Sequence, residues 1–147
     1  MRNWVLVADG GRARFFKIDR KAKRLREGKN VVNPEVRFSE REFSRDTPGR
    51  SYDSMGKGRH SMESSAVSKE KSKEEFARTL VEHLNEQFGV EKIDRIIVVA
   101  PAKMLGYLNK YFQKVECGKL VTQIAKDVTT LEPEAIYSIL EKEVSQI

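Results

Sequence analysis

The run Ile96-Ile97-Val98-Val99-Ala100, within Ile93 to Ala100 and closed by Pro101, is apolar at every position. So short a stretch is below the usual length of a buried helix, and its β-branched side chains favour an extended backbone. A strand with no polar alternation has no side to turn toward water, so it must be covered on both faces. That selects a parallel or mixed sheet between helical layers and makes this run the expected centre of the sheet.

The flanking sequence supplies those layers. Phe76, Leu80, Leu84 and Phe88 recur every fourth residue from Ser72 onward, with Ala77 and Val81 widening the apolar face, and Gly89 closes the pattern. Pro101 opens a second helix that runs through Phe112 with Leu105, Leu108 and Phe112 inward. Leu120 to Ala125 reads as a strand, and a last helix carries Pro133 early and Ile136, Ile139, Leu140 and Val144 on one stripe. At the other end, Asn3 to Ala8 is apolar, Asp9-Gly10-Gly11 is a turn, and Arg12 to Ile18 alternates, which together read as a hairpin. Ala13, Phe15 and Ile18 are expected on the face of Val5 and Val7, with Phe16 on the other. A third strand falls within Leu25 to Val32, ended by Pro34. The order βββαβαβα then predicts a ribonuclease-H-like α/β fold: a mixed five-stranded sheet with helices packed on it.

A chain of 147 residues with 39% hydrophobic side chains supplies one core, so residues 1–147 are expected to form a single domain. Glu35 to Ser72 holds only eight hydrophobic residues among serines, charges and glycines, a composition that predicts a mobile polar loop at about 35–72. A single cysteine, Cys117, excludes an internal disulfide and any multi-cysteine zinc site, and two distant histidines offer no metal-ligand spacing. No metal or cofactor is expected. No apolar run is long enough to span a bilayer or to form a signal-peptide core, so the expected location is the cytoplasm.

Charge is placed unevenly. Residues 1–67 carry 16 Lys or Arg against 9 Asp or Glu, and the remainder carries 12 against 13, so the whole positive excess lies in the first half. Such a field concentrates polyanions, which makes RNA, the ribosome surface or an anionic membrane candidate partners. The turn Gly10-Gly11-Arg12-Ala13-Arg14 offers Arg12 and Arg14 to an anion, or is a plain hairpin turn with solvated arginines. In the polar segment Arg50, Gly56, Lys57, Gly58 and Arg59 are candidates for phosphate contact, with Tyr52, Met55 and Met62 interleaved in a manner that suits stacking on single-stranded RNA. His60 is a weak candidate proton shuttle. His83 lies beside the helical stripe, where packing is its expected role. Asp9 ends the first strand and Asp127 follows the last, so the two carboxylates could share one end of the sheet, whereas Asp94 belongs to the opposite end. Two carboxylates are fewer than a two-metal nuclease requires.

Several blocks taken together carry a resemblance: Trp4-Val5-Leu6-Val7-Ala8-Asp9-Gly10-Gly11-Arg12-Ala13-Arg14, Asp46-Thr47-Pro48-Gly49-Arg50, Arg59-His60, Phe76-Ala77, Val99-Ala100-Pro101, Leu105-Gly106 and Lys126-Asp127-Val128-Thr129. In order and spacing they resemble the bacterial host-attachment protein family across nearly the whole chain. That family is similar to the middle domain of archaeal and eukaryotic peptide-release factors, which implies the ribonuclease-H-like topology and a role at the ribosome. In release factors the corresponding loop carries Gly-Gly-Gln. Here it offers Gly56-Lys57-Gly58-Arg59-His60, and no glutamine follows a glycine pair. The expectation is a non-catalytic domain that engages RNA or the ribosome through a basic loop. Two alternatives stand beside it: a factor needed for attachment that acts through a protein partner, and an RNA or peptidyl-tRNA hydrolase using Asp9, His60 or the loop arginines. The sequence leaves the oligomeric state open.

Overall fold

A computed structural model describes residues 2–36, 57–90, 92–112, 120–144 and 147, with the backbone alone for 57–67, 88–90 and 120. Three strands come first, β1 (Asn3–Ala8), β2 (Arg12–Asp19) and β3 (Arg24–Val32), followed by α1 (Lys57–Val90), β4 (Arg95–Ala100), α2 (Ala102–Phe112), β5 (Leu120–Ala125) and α3 (Pro133–Glu143). They build one five-stranded sheet in the order β3-β2-β1-β4-β5. β2 is antiparallel to β1 and to β3, while β1, β4 and β5 run parallel. The chain is therefore a mixed α/β domain.

β1, not β4, is the middle strand. All six of its residues are buried, because it alone pairs with both the antiparallel hairpin and the parallel half of the sheet. β4 lies next to it and is buried from Ile96 to Ala100. On one face Trp4, Leu6, Ala8, Phe15, Ile96 and Val98 pack against Phe76, Leu80 and Leu84 of α1 and Met104, Leu105 and Leu108 of α2. On the other, Val5, Val7, Phe16, Ile97, Val99 and Ile124 pack against Ile136, Tyr137 and Leu140 of α3. The outer strand β3 buries only Leu25 and carries Arg24, Arg26, Glu27 and Lys29 exposed, which blunts it against pairing with another sheet.

The register corrects the expected facing of the hairpin. Val5 stands opposite Phe16 and Leu6 opposite Phe15, so Phe16 and Ile18 join Val5 and Val7, while Ala13 and Phe15 join Trp4, Leu6 and Ala8. Both faces of β2 are apolar, so hydrophobicity alone cannot set its parity; the turn does, by closing Ala8 onto Ala13.

The polar segment also departs from its expected form. A helical turn covers residues 34–36, with Val36 buried, and helix α1 begins at Lys57, so 57–71 is helical rather than loop. Between His60 and Gln87 the sequence has neither proline nor glycine, and a helix anchored by Phe76, Leu80 and Leu84 extends at little further cost through Met, Glu, Ala and Lys. Residues 37–56 lie outside the described residues.

Candidate functional site

In a sheet of this kind the backbone leaves the carboxyl ends of parallel strands toward opposite faces, and the crevice between diverging connections is where ligands bind. Here the connection after β4 leads to α2 on one face and that after β5 leads to α3 on the other. Asp9, at the carboxyl end of β1, stands in this region.

Both oxygens of its carboxylate are engaged. Oδ1 accepts from the backbone amides of Gly11 at 2.7 Å and Arg12 at 2.8 Å, which is the Asx turn that closes the hairpin. Oδ2 accepts from the Thr129 hydroxyl at 2.7 Å, and Thr129 Oγ1 also lies 3.3 Å from Asp127 Oδ1. Asp9 and Asp127 thus do share an end of the sheet, bridged by a threonine that is 1% exposed. Among the described residues no group of three acidic, histidine or cysteine side chains could hold a metal ion.

Arg12 and Arg14 belong to the same latch. Arg12 Nη2 donates to the Thr129 carbonyl, and Arg14 Nη1 donates to the carbonyls of Thr129 at 3.0 Å and Leu131 at 2.7 Å. Arg14 Nε pairs with Glu27 at 2.7 Å, and its guanidinium lies 5.0 Å from the centre of the Phe16 ring. The two guanidinium groups hold the loop from β5 to α3 against the hairpin.

Nearby charges are matched in the same way. Asn33 Nδ2 donates to the Gly10 carbonyl at 3.1 Å and to Ser72 Oγ at 3.1 Å, tying the turn to α1. The aliphatic part of Lys73 lies over Gly10, where a Cβ would come within 2.6 Å of Lys73 Cγ. Glu70 pairs with Lys73 at 3.4 Å and Lys103 at 3.1 Å and accepts from the Tyr107 hydroxyl. That hydroxyl, then Lys103, holds the Glu70 carboxyl down at about 2, and Glu70 in turn pushes the Tyr107 phenol up to about 12.

The other anticipated residues are scattered. Lys57, Gly58, Arg59 and His60 form the first turn of α1, where only the backbone is described, and Arg50, Gly56 and Cys117 lie outside the described residues. His83 packs edge-on against Phe15 at 5.0 Å, and burial pushes its pKa down. Asp94 accepts from the Arg2 amide at 2.6 Å, at the far end of the sheet from Asp9. Thr129 and Asn33 escaped sequence reasoning because an isolated threonine or asparagine carries no spacing signal.

At that far end lies an open cavity of about 710 Å³ lined by Arg2, Lys17, Arg20, Lys21 and Arg26, with Asn3, Trp4, Ile18 and Asp19 completing it. Asn3 is 2% exposed, and among the described residues neither of its side-chain polar atoms has a hydrogen-bond partner.

Fold and latch define a mixed-sheet α/β domain whose strand-end carboxylate serves as a structural tie. Residues 4–140 match the family described as "Protein required for attachment to host cells", and the chain belongs to that family. Among solved structures it is similar to the Ppx/GppA phosphatase of Aquifex aeolicus, type II variant, at 13% identity and a TM-score of 0.45, over 85% of this chain and 36% of that one. The chain therefore spans little more than a third of that structure. No curated protein matches it. Among the described residues no helix is long and apolar enough to cross a membrane.

Proposed function

We propose that this host-attachment family protein acts as a non-catalytic RNA-binding domain, associated with RNA or the ribosome inside the cell, and that its part in attachment is indirect. The observation that carries this reading is the β2–β3 edge. Residues 20–29 place Arg20, Lys21, Lys23, Arg24, Arg26 and Lys29 on exposed positions with Glu27 as the one acidic residue among them. Clustered cations on a protruding hairpin neutralise phosphates without reading sequence, so binding is salt-dependent. Lys23 supports it further: it sits at φ 52°, a conformation that glycine adopts more cheaply, so charge is kept there at the expense of backbone ease. Arg50, Lys57 and Arg59 extend the basic surface in this reading, and the mixed five-stranded sheet is compatible with the ribonuclease-H-like fold that the release-factor resemblance implies.

The hydrolase alternative draws less support. A general base needs a free lone pair directed at substrate, and Asp9 already accepts three hydrogen bonds. The test is sedimentation of a lysate at low and raised salt, comparing the native chain with Lys21→Ala/Lys23→Ala/Arg24→Ala and with Arg50→Ala/Lys57→Ala/Arg59→Ala. Salt-sensitive co-sedimentation with ribosomes, reduced in either triple variant, is the expected result. A chain that stays in the supernatant at both salts overturns the RNA reading and moves the role to a protein partner.

A further inference from the structure

The two outer strands of the sheet are finished differently. β3 exposes Arg24, Arg26, Glu27 and Lys29, whereas β5, Leu120-Val121-Thr122-Gln123-Ile124-Ala125, has neither a charge nor a proline. Among the described residues β5 pairs with β4 alone. The Lys126 amide donates to the Ala100 carbonyl of β4 at 3.1 Å, and strand alternation then turns the amides and carbonyls of Val121, Gln123 and Ala125 away from β4. Outward backbone groups of this kind template pairing with another chain, and charge is the usual guard, present on β3 and missing from β5.

The flank of α2 beside this edge carries small and uncharged side chains. Asn109 Nδ2 donates to Gln123 Oε1 at 3.2 Å, which places that flank on the side of β5. Lys103, Tyr107 and Lys110 reach the opposite way, to Glu70 and Glu74 of α1. Ala102 and Gly106 share the flank with Asn109 at helical spacing, and both are exposed. Gly106 stands in the middle of an 11-residue helix although a Cβ there would meet nothing within 4 Å. A glycine in that position weakens the helix and relieves no contact among the described residues, so the close approach it permits is to a neighbour from outside.

Charge decides which neighbour. Residues 68–147 carry 12 Lys or Arg against 13 Asp or Glu, and Lys126, just past the strand, is paired with Glu143 at 2.8 Å. The basic strands β2 and β3 lie three and four strands from β5, about 14–19 Å at the usual spacing and beyond a screening length of about 8 Å. Two copies of a chain that is basic overall can therefore meet at β5 without repulsion, and the same edge offers little to a polyanion.

We propose that β5 is the interface of a two-fold homodimer, in which the β5 strands of two copies pair antiparallel and join two five-stranded sheets into one. An axis normal to the sheet keeps both α2 helices on the same face. α2 lies over β4 and β5, so its mate stands two strand spacings away, about 10 Å, which is a helix packing distance. Ala102, Gly106 and Asn109 line the seam between the two helices. Both β2–β3 edges stay outermost in this dimer, so it does not depend on the RNA reading.

Sedimentation equilibrium of the full chain over a series of concentrations tests it, with a monomer–dimer equilibrium expected. Gly106→Lys puts a long charged side chain into the seam at a position where the monomer has room for it. Gln123→Pro removes an outward amide and leaves the bonds to β4 in place. Each is expected to raise the dimer dissociation constant at least tenfold with native far-UV circular dichroism, and Gly106→Lys decides alone if Gln123→Pro does not fold. Lys21→Ala/Lys23→Ala/Arg24→Ala, at the opposite edge, is expected to leave the constant unchanged. A native chain that is monomeric at every concentration overturns the proposal. So does a dimer that survives either folded variant, or one that dissociates when the opposite edge is neutralised.

Discussion

The two ends of the sheet are built from the same residue types and put to opposite use. At the carboxyl end of β1, Asp9, Arg12, Arg14, Thr129, Glu70, Lys73 and Lys103 satisfy one another, and the charge spent there holds the loop before α3 and the start of α2 in place. At its amino end, Arg26 pairs with Asp19, the one carboxylate lining a cavity rich in Arg and Lys, and buried Asn3 has no side-chain hydrogen-bond partner among the described residues. An arginine in a sequence is therefore not evidence of a binding surface until its hydrogen bonds are known. Matched groups contribute stability, whereas a buried group left unmatched costs it.

The comparison breaks most decisively at Asp9. Asp9→Ala removes an acceptor from two turn amides and from buried Thr129 at once, and we expect a loss of about 2–3 kcal/mol in urea unfolding, with salt-dependent RNA binding unchanged once folded. A loss below about 0.5 kcal/mol would show that the latch is not structural. Gly10→Ala tests the same end by sterics, because the new methyl meets Lys73 Cγ. We expect about 1–2 kcal/mol of destabilisation, largely relieved in Gly10→Ala/Lys73→Ala, and additive effects in that double mutant would refute the contact.

The amino end should respond with the opposite sign. Asn3→Leu replaces an unsatisfied carboxamide by an apolar side chain of similar size, so stability in urea unfolding should rise by about 1 kcal/mol. Destabilisation by that variant would mean that the carboxamide is already satisfied. Lys23→Gly relieves the left-handed backbone and should add about 0.5–1 kcal/mol while lowering RNA affinity and its salt slope. Unchanged affinity would remove Lys23 from the proposed surface.

The smallest effect is a pH limb. The Glu70 carboxyl is lowered to about 2, so its contribution is complete above the unfolded value near 4.5 and disappears as pH falls through 2. The Tyr107 phenol is raised to about 12, so its part is complete below 10 and is lost as pH climbs through 12. Thermal unfolding of Tyr107→Phe should show a constant stability deficit from pH 5 to 9 and a shallower acid slope between pH 4.5 and 2 than the native chain. Identical slopes would remove the hydroxyl as the cause.

Most elements were legible because their hydrophobic period is local. Ile96 to Ala100 needs no context to be a buried strand, and Phe76, Leu80 and Leu84 need none to be a helix face. The start of α1 was not legible: residues 57–71 hold only Met62, Ala66 and Val67 as apolar side chains, with no sustained apolar period, and they are helical because a packed helix continues through them. Of the site, the proximity of Asp9 and Asp127 followed from strand direction, but the Thr129 bridge did not, since it joins residues 120 positions apart. Asn3 gave no signal, because a polar residue opening an apolar run reads as a strand boundary.

By itself the sequence determined the order βββαβαβα, the need for cover on both sides of the sheet, and the basic first half, because period and charge are properties of neighbouring residues. Only the tertiary structure decided which strand is central, which face each hairpin side chain occupies, and which cations are already engaged. Those depend on pairing register and on hydrogen bonds across more than a hundred residues, and long-range pairing is settled when the sheet closes around its two cores.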